Sequence, residues 1–189
     1  MIMTLTDLGN HIKKSKLCKY YVYFFHAIGS THQLYTNEAF KNYDIILANG
    51  EYQSKELKLS EIKLNFPQKE IINSGYIFLD NLISNANLNL KEPKHIIFAP
   101  SWNYDKKNLF ENYGIEIISN LLSKNFKVTL RPHPEHYKRS NYIINEIEKL
   151  FSINKNFRLD KSFNNLESLE KSEILITDNS SIVFEFTFV

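Results

Sequence analysis

Short apolar runs rich in Val, Ile, Tyr and Phe recur along this chain, and a stretch with helical spacing separates almost every pair of them. Parallel strands need a crossover long enough to be a helix, so this alternation is the signature of an α/β fold with parallel sheets. The apolar runs predict strands over residues 20–25, 43–48, 71–72, 95–99, 126–130, 157–159 and 174–177. Helical spacing predicts helices over 37–41, 51–59, 77–85, 115–124, 141–151 and 163–171, with another opening at Ile182. Residues 67–70 read as a helical turn or loop. The polar stretch 85–94, which contains Pro93, is the best candidate for a boundary. It divides the chain into residues 1–88 and 89–189.

With 189 residues the chain can form one large or two small α/β domains. A net charge of +2, from 23 basic and 21 acidic residues, supplies no electrostatic drive toward nucleic acid. The single cysteine, Cys18, excludes an internal disulfide framework and any CxxC metal or redox motif. No apolar run reaches the length of a membrane span, and the first residues lack a signal-peptide core. A cytoplasmic protein is expected. The basic segment 11–19 is a candidate for contact with an anionic membrane surface, beside the plainer reading of a solvated helix end. Both ends are abrupt, and the chain closes on Glu185-Phe-Thr-Phe-Val189 with no cap or polar tail. A piece of a longer protein is the expectation.

Right-handed crossovers place every strand-to-helix loop of a parallel sheet on one edge. The polar residues worth attention fall on those loops: Ser101, Arg131, His133, Asp178, Ser180 and Ser181. The last predicted strand ends in Thr177-Asp-Asn-Ser-Ser181, where hydroxyls and backbone N–H groups at a helix start favour an anion; plain capping by Asp178 or Ser180 uses the same geometry. Arg131 in Arg-Pro-His-Pro134 can grip phosphate oxygens in a fork, and His133 can donate to a bridging or leaving oxygen. The two prolines predict an extended, stiff backbone there. Glu185 is one helical turn beyond Ser181 and could accept from ribose hydroxyls. Trp102 fits stacking on a base or core packing equally well. His26, at a strand end before Gly29, suits a general base; His32 carries less weight, and Asp80 reads on its own as a surface aspartate. His133 and His136 have the spacing of a metal pair, but no third acidic ligand accompanies them, so no metal is expected.

Read together, His-Ala-Ile-Gly-Ser at 26–30, Gly-Tyr-Ile-Phe-Leu-Asp at 75–80, Phe-Ala-Pro-Ser-Trp at 98–102, Leu-Arg-Pro-His-Pro at 130–134 and Leu-Ile-Thr-Asp-Asn-Ser-Ser at 175–181 form a series. The series resembles the CDP-glycerol glycerophosphotransferases, which include the teichoic-acid primases and polymerases and related capsule enzymes. The resemblance implies a GT-B-like architecture of two Rossmann-like parallel-sheet units with a cleft between them, the first incomplete and the last truncated at its C-terminal end. Residues 1–88 would be the remnant of an acceptor-side domain and 89–189 the nucleotide-donor domain. The implied reaction moves glycerol phosphate from CDP-glycerol to a hydroxyl of a lipid-linked polymer at the inner face of the membrane and releases CMP, with no cofactor beyond the donor substrate. By motif, His26 matches the family's base, Asp80 the aspartate of its Gly-Tyr-Pro-Arg-x-Asp motif, Arg131 and His133 its donor-diphosphate motif, and Ser180 and Ser181 its phosphate loop. Glu185 aligns with an acidic residue. The sequence departs from the family pattern at Ala27, at Ile77-Phe78 and at Asn179.

The chemistry this implies is in-line phosphoryl transfer. His26, Asp80 and His133 are the expected catalytic groups. Ser101, Arg131, Thr177, Ser180, Ser181 and Glu185 are the expected donor-binding groups. A nucleotide-sugar transferase or epimerase on the same fold, and an inactive nucleotide-binding fragment, are the competing readings.

Overall fold

The computed structural model describes residues 1–103 and 108–189. They form two compact units, Met1–Asp80 and Asn81–Val189.

The first unit is a parallel sheet in the order β1(Ile2–Met3), β2(Val22–Phe24), β3(Ile45–Ala48), β4(Glu70–Asn73). Its crossovers carry the short helix α1(Thr31–Leu34) and the longer α2(Glu51–Leu64). Tyr23 and Phe25 are wholly buried from β2 onward, and their rings meet Phe40, Tyr35 and Tyr43 edge-on at 4.8–6.3 Å. Edge-to-face contact aligns ring quadrupoles favourably, so this aromatic box does the work that aliphatic residues do in most such cores. Helix α2 is unusual in what it buries. Gln53 is wholly enclosed and Ser54 nearly so, beside Leu57. Ser54 Oγ donates to Asn73 Oδ1 at the end of β4.

Helix α3(Ile77–Asn85) carries the chain from one unit into the other. The second unit holds β5(Glu92–Phe98), α4(Leu109–Ser123), β6(Lys127–Leu130), α5(Pro134–Arg139), α6(Asn141–Phe151), β7(Phe157–Leu159), α7(Leu166–Lys171), β8(Ser172–Ile176) and α8(Ile182–Phe186). Its sheet is parallel throughout, in the order β7-β6-β5-β8. Phe98, Phe110, Ile118, Val128, Leu130, Ile143, Ile144 and Ile147 form the core between that sheet and helices α4 and α6. Asn108 starts α4 by accepting from the backbone N–H groups of Phe110 and Glu111.

The expected strands are all present, β2, β3 and β6 shorter and β4, β5 and β8 longer, and several other expectations need correction. Residues 37–41 are not a helix: they make successive i to i+3 turn bonds, and the helix of this crossover is α1 instead. Helix α2 runs five residues past position 59, to a left-handed cap at Asn65. Helix α4 starts at Leu109 rather than at residue 115, because Asn108 caps it there. Helix α7 opens at Leu166, three residues after position 163. The stretch 85–94 is structured: it holds a 3₁₀ turn at Leu88–Leu90 and the first residues of β5, where Lys94 takes a φ of 59° at a register shift against β8. Arg-Pro-His-Pro is not extended throughout, since Pro134 is the first residue of α5, a position that tolerates its missing N–H. Neither β1 nor α5 was expected.

Candidate functional site

In the second unit the loops after β5, β6 and β8 leave one edge of the sheet side by side. The backbone joins them directly: Arg131 N–H donates to Phe98 O at 2.8 Å, and Ala99 N–H to Ile176 O at 2.9 Å. Side chains add two more ties. Thr177 Oγ1 donates to Ala99 O at 2.7 Å, and Ser101 N–H donates to Asp178 Oδ1 at 2.5 Å. Asp178 therefore fastens one loop to its neighbour rather than capping a helix. With β5 between them, β6 and β8 lie about 10 Å apart, twice the usual strand spacing. Arg131, His133, Ser101, Thr177, Ser180 and Ser181 thus share one carboxyl edge.

Arg131 is committed more deeply than its sequence position suggests. Its Nη1 donates to Asp160 Oδ2 at 2.6 Å and to Ser162 Oγ at 3.3 Å; its Nη2 donates to Phe163 O at 3.2 Å. The Asp160 side chain is 2% exposed and also accepts from Ser162 N–H, Ser162 Oγ and Ser168 Oγ. Burial pushes this carboxyl up, but the hydrogen bonds from Ser162, Ser168 and Arg131 together outweigh it and hold it below the usual aspartate range. The sequence reading missed Asp160. Its only signal was a position just past a short strand, which it shares with many surface aspartates.

Glu185 is turned inward. It is 6% exposed, and its Oε2 accepts from Asn165 Nδ2 at 2.5 Å. Burial raises its pKa, against the Asn165 bond and the nearby Arg131 charge. Residues 160–165 therefore link Arg131 on one side of the edge to α8 on the other.

His133 is exposed and caps α5, its Nδ1 accepting the Glu135 N–H at 3.2 Å. A neutral ring that accepts at Nδ1 carries its proton on Nε2, the tautomer a donor to an oxyanion requires. Trp102 stacks on that ring at 6.3 Å between centroids with a 20° tilt, and the Arg139 guanidinium lies 5.1 Å over the indole. The indole thus supports His133. His136 makes no pair with His133. Its ring is wholly buried, with Nε2 3.1 Å from Ser101 O and Nδ1 3.3 Å from Glu111 Oε1, to which Ser140 Oγ also donates. It braces the Ser101 loop from beneath, a role that its HxxH spacing disguised. Among the described residues no group of three His, Cys, Asp or Glu side chains could hold a metal ion.

In the first unit His26 follows β2 at the corresponding carboxyl edge. Its ring is exposed, and its backbone O accepts from Tyr76 Oη at 3.1 Å. Asp80 is exposed in the first turn of α3, which begins one residue beyond Tyr76. His32 lies in α1, among the lining residues of a small pocket with Tyr35, Phe40 and Phe66.

Two parallel α/β units, each with its polar residues at the carboxyl edge, define a GT-B-like protein. Residues 14–189 match the family model described as CDP-Glycerol:Poly(glycerophosphate) glycerophosphotransferase, and the chain belongs to that family. Among solved structures it is similar to a histidine-to-alanine variant of the wall teichoic acid polymerase TagF, with a TM-score of 0.58 and 20% identity over 95% of this chain and 49% of that one. It is also similar to a histidine-to-asparagine variant of the same polymerase soaked with CDPG, with a TM-score of 0.55 and 22% identity over 93% and 49%. The chain spans about half the length of these TagF chains. No curated protein sequence matches it at a significant level. No described helix is long and apolar enough to cross a membrane.

Proposed function

We propose that this chain carries donor- and acceptor-handling parts of a transferase that moves glycerol phosphate from CDP-glycerol to a hydroxyl of a lipid-linked cell-surface polymer, at the inner face of the membrane, releasing CMP. The observation that carries the reading is the joining of the loops after β5, β6 and β8 at one edge, which gathers Ser101, Arg131, His133 and the Thr177–Ser181 turn. A diphosphate needs several converging donors, one of them a permanent cation. His133 Nε2 and the Ser180 and Ser181 hydroxyls are the groups assigned to the phosphate oxygens. Arg131, already bound to Asp160, contributes its charge from behind them. Glu185 orders Asn165 and the turn into α8.

In this reading the first unit handles the acceptor. His26 takes the proton from the attacking hydroxyl; the new P–O bond forms at the distal phosphorus as the bond to CMP breaks in line. Asp80, close in sequence to the residue that holds the His26 carbonyl, orients the acceptor. Membership of the glycerophosphotransferase family and the TagF structure soaked with CDPG favour CDP-glycerol over a nucleotide sugar.

The test is CMP release from CDP-glycerol, run beside UDP-sugars, for the unchanged protein and for His26→Ala. Loss of one placed base costs about 10²–10⁴-fold in turnover. CDP binding, measured by calorimetry, should stay within twofold. UDP release without CMP release would overturn the donor assignment, and undiminished turnover of His26→Ala would overturn the base.

A further inference from the structure

The loop after β2 is held peptide by peptide. His26 O accepts from Tyr76 Oη at 3.1 Å, and Ala27 O from Asn49 Nδ2 at 3.0 Å. Gly29 O accepts from Gln53 Nε2 at 3.0 Å, and Gly29 N–H points to Tyr52 Oη at 3.4 Å. Glu56 then closes the series, accepting from Ser30 Oγ at 2.8 Å, from Thr31 N–H at 2.6 Å and from Thr31 Oγ1 at 2.7 Å. Gly29 adopts a φ of 145°, which a side chain would resist and glycine permits, so the loop can turn here beneath its clamps.

Most of these clamps come from one helix and its lead-in. Asn49, Gln53 and Glu56 follow the i, i+4 and i+7 spacing of a single face. Gln53 is wholly buried, and its Oε1 accepts the Asn49 N–H at 2.8 Å, so clamp and lead-in lock each other. A buried amide at a helix–sheet interface costs apolar contact that a leucine would supply, and is tolerated only when fully bonded. The loop carries His26 at its start, and His26 is the exposed side chain among these clamped peptides.

We propose that Gln53 and Glu56 of α2, assisted by Asn49 and Tyr76, are positioning residues that fix His26 for proton abstraction. The inference rests on the reading of His26 as the base. Acting through the backbone, these groups touch no substrate. Displacing a reacting group by about 1 Å costs on the order of 10²-fold.

The experiment compares Gln53→Leu, Glu56→Ala, Glu56→Gln and His26→Ala in the intact protein, each checked for a native denaturation midpoint. Two readouts are taken: kcat and KM for CDP-glycerol, and amide hydrogen exchange at Thr31, with Tyr23 and Ile46 as references in the strands. Glu56→Ala is expected to speed Thr31 exchange by at least tenfold, leave the reference amides unchanged, and lower kcat about 10–10²-fold with KM unchanged. Glu56→Gln, which keeps an acceptor for Thr31, should recover most of both. Gln53→Leu should lower kcat in the same way. Unchanged Thr31 exchange in Glu56→Ala, or faster exchange with full kcat while His26→Ala is dead, overturns the proposal. If His26→Ala itself keeps full kcat, the base reading has failed; the exchange result, which needs no turnover, still reports the clamp and separates the two failures.

Discussion

Replacing Arg131 by Met would leave Asp160 buried without its cation. The pair has a 2.6 Å contact, with side chains 17% and 2% exposed. Breaking a buried ion pair on one side costs about 3–5 kcal/mol. Asp160 keeps its bonds from Ser162 and Ser168, which continue to solvate the carboxylate, so the low end of that range applies, about 3 kcal/mol. For a unit of this size that lowers Tm by roughly 10–20 °C. Arg158→Met is the control. Its pair with Glu167 is 41% and 54% exposed, and such surface pairs contribute about 1 kcal/mol or less. Adding Asp160→Asn to Arg131→Met should return part of the loss, because it removes the isolated charge. The sign with pH follows from Asp160 being held below the ordinary aspartate value. Its contribution is fully present above the unfolded pKa of about 3.9 and disappears as pH falls through the lower folded value. Urea unfolding at pH 7 and pH 3 measures both effects. If Arg131→Met is no less stable than Arg158→Met at pH 7, Arg131 is not the structural cation described above.

His133 has two jobs that substitution can separate. His133→Asn keeps a good helix cap and should hold stability within about 0.5 kcal/mol, while His133→Ala should lose about 1 kcal/mol. Both should lower CMP release alike, and full activity in the Asn variant would remove the imidazole from the reaction. Glu185 behaves oppositely to Asp160: burial raises its pKa, so its ionisation opposes folding above about pH 4.3 and costs nothing below. Glu185→Gln should therefore stabilise by about 1 kcal/mol at pH 7 and not at pH 4, the more so because Asn165 Oδ1 is buried with no hydrogen-bond partner among the described residues, a partner that the new amide could supply. A loss at pH 7 in urea unfolding would mean that the Arg131 charge dominates.

Much of this architecture was legible in the chain because apolar periodicity reports burial directly. Ile96–Phe98 is buried on both faces of a parallel sheet and reads as an unbroken apolar run, and Val128 and Leu130 flank the one buried polar residue of β6, Thr129. The short strands at loop edges also announced where polar residues gather. What escaped notice were side chains whose partners are remote in sequence. Asp160 reaches back 29 residues to Arg131, and His136 reaches 35 to Ser101. Nothing local distinguishes a buried aspartate or histidine of this kind from a surface one. Helix α2 was cut short for a related reason: Gln53 and Ser54 face inward while Leu59 and Ile62 are exposed, so its apolar pattern misreports its inner face. The direction of Arg131 was equally hidden, since a cation at a strand end fits a ligand and an internal carboxylate equally well.

The polar inner face of α2 has a thermodynamic consequence for the first unit. Surface loops usually open on their own, at far lower cost than the strands beneath them. Here a loop segment cannot peel away without orphaning an enclosed amide and a carboxylate on the helix, so local fraying of residues 26–31 must draw α2 with it. Loop and helix should behave as one cooperative block, and their sequences should be free to drift only in step.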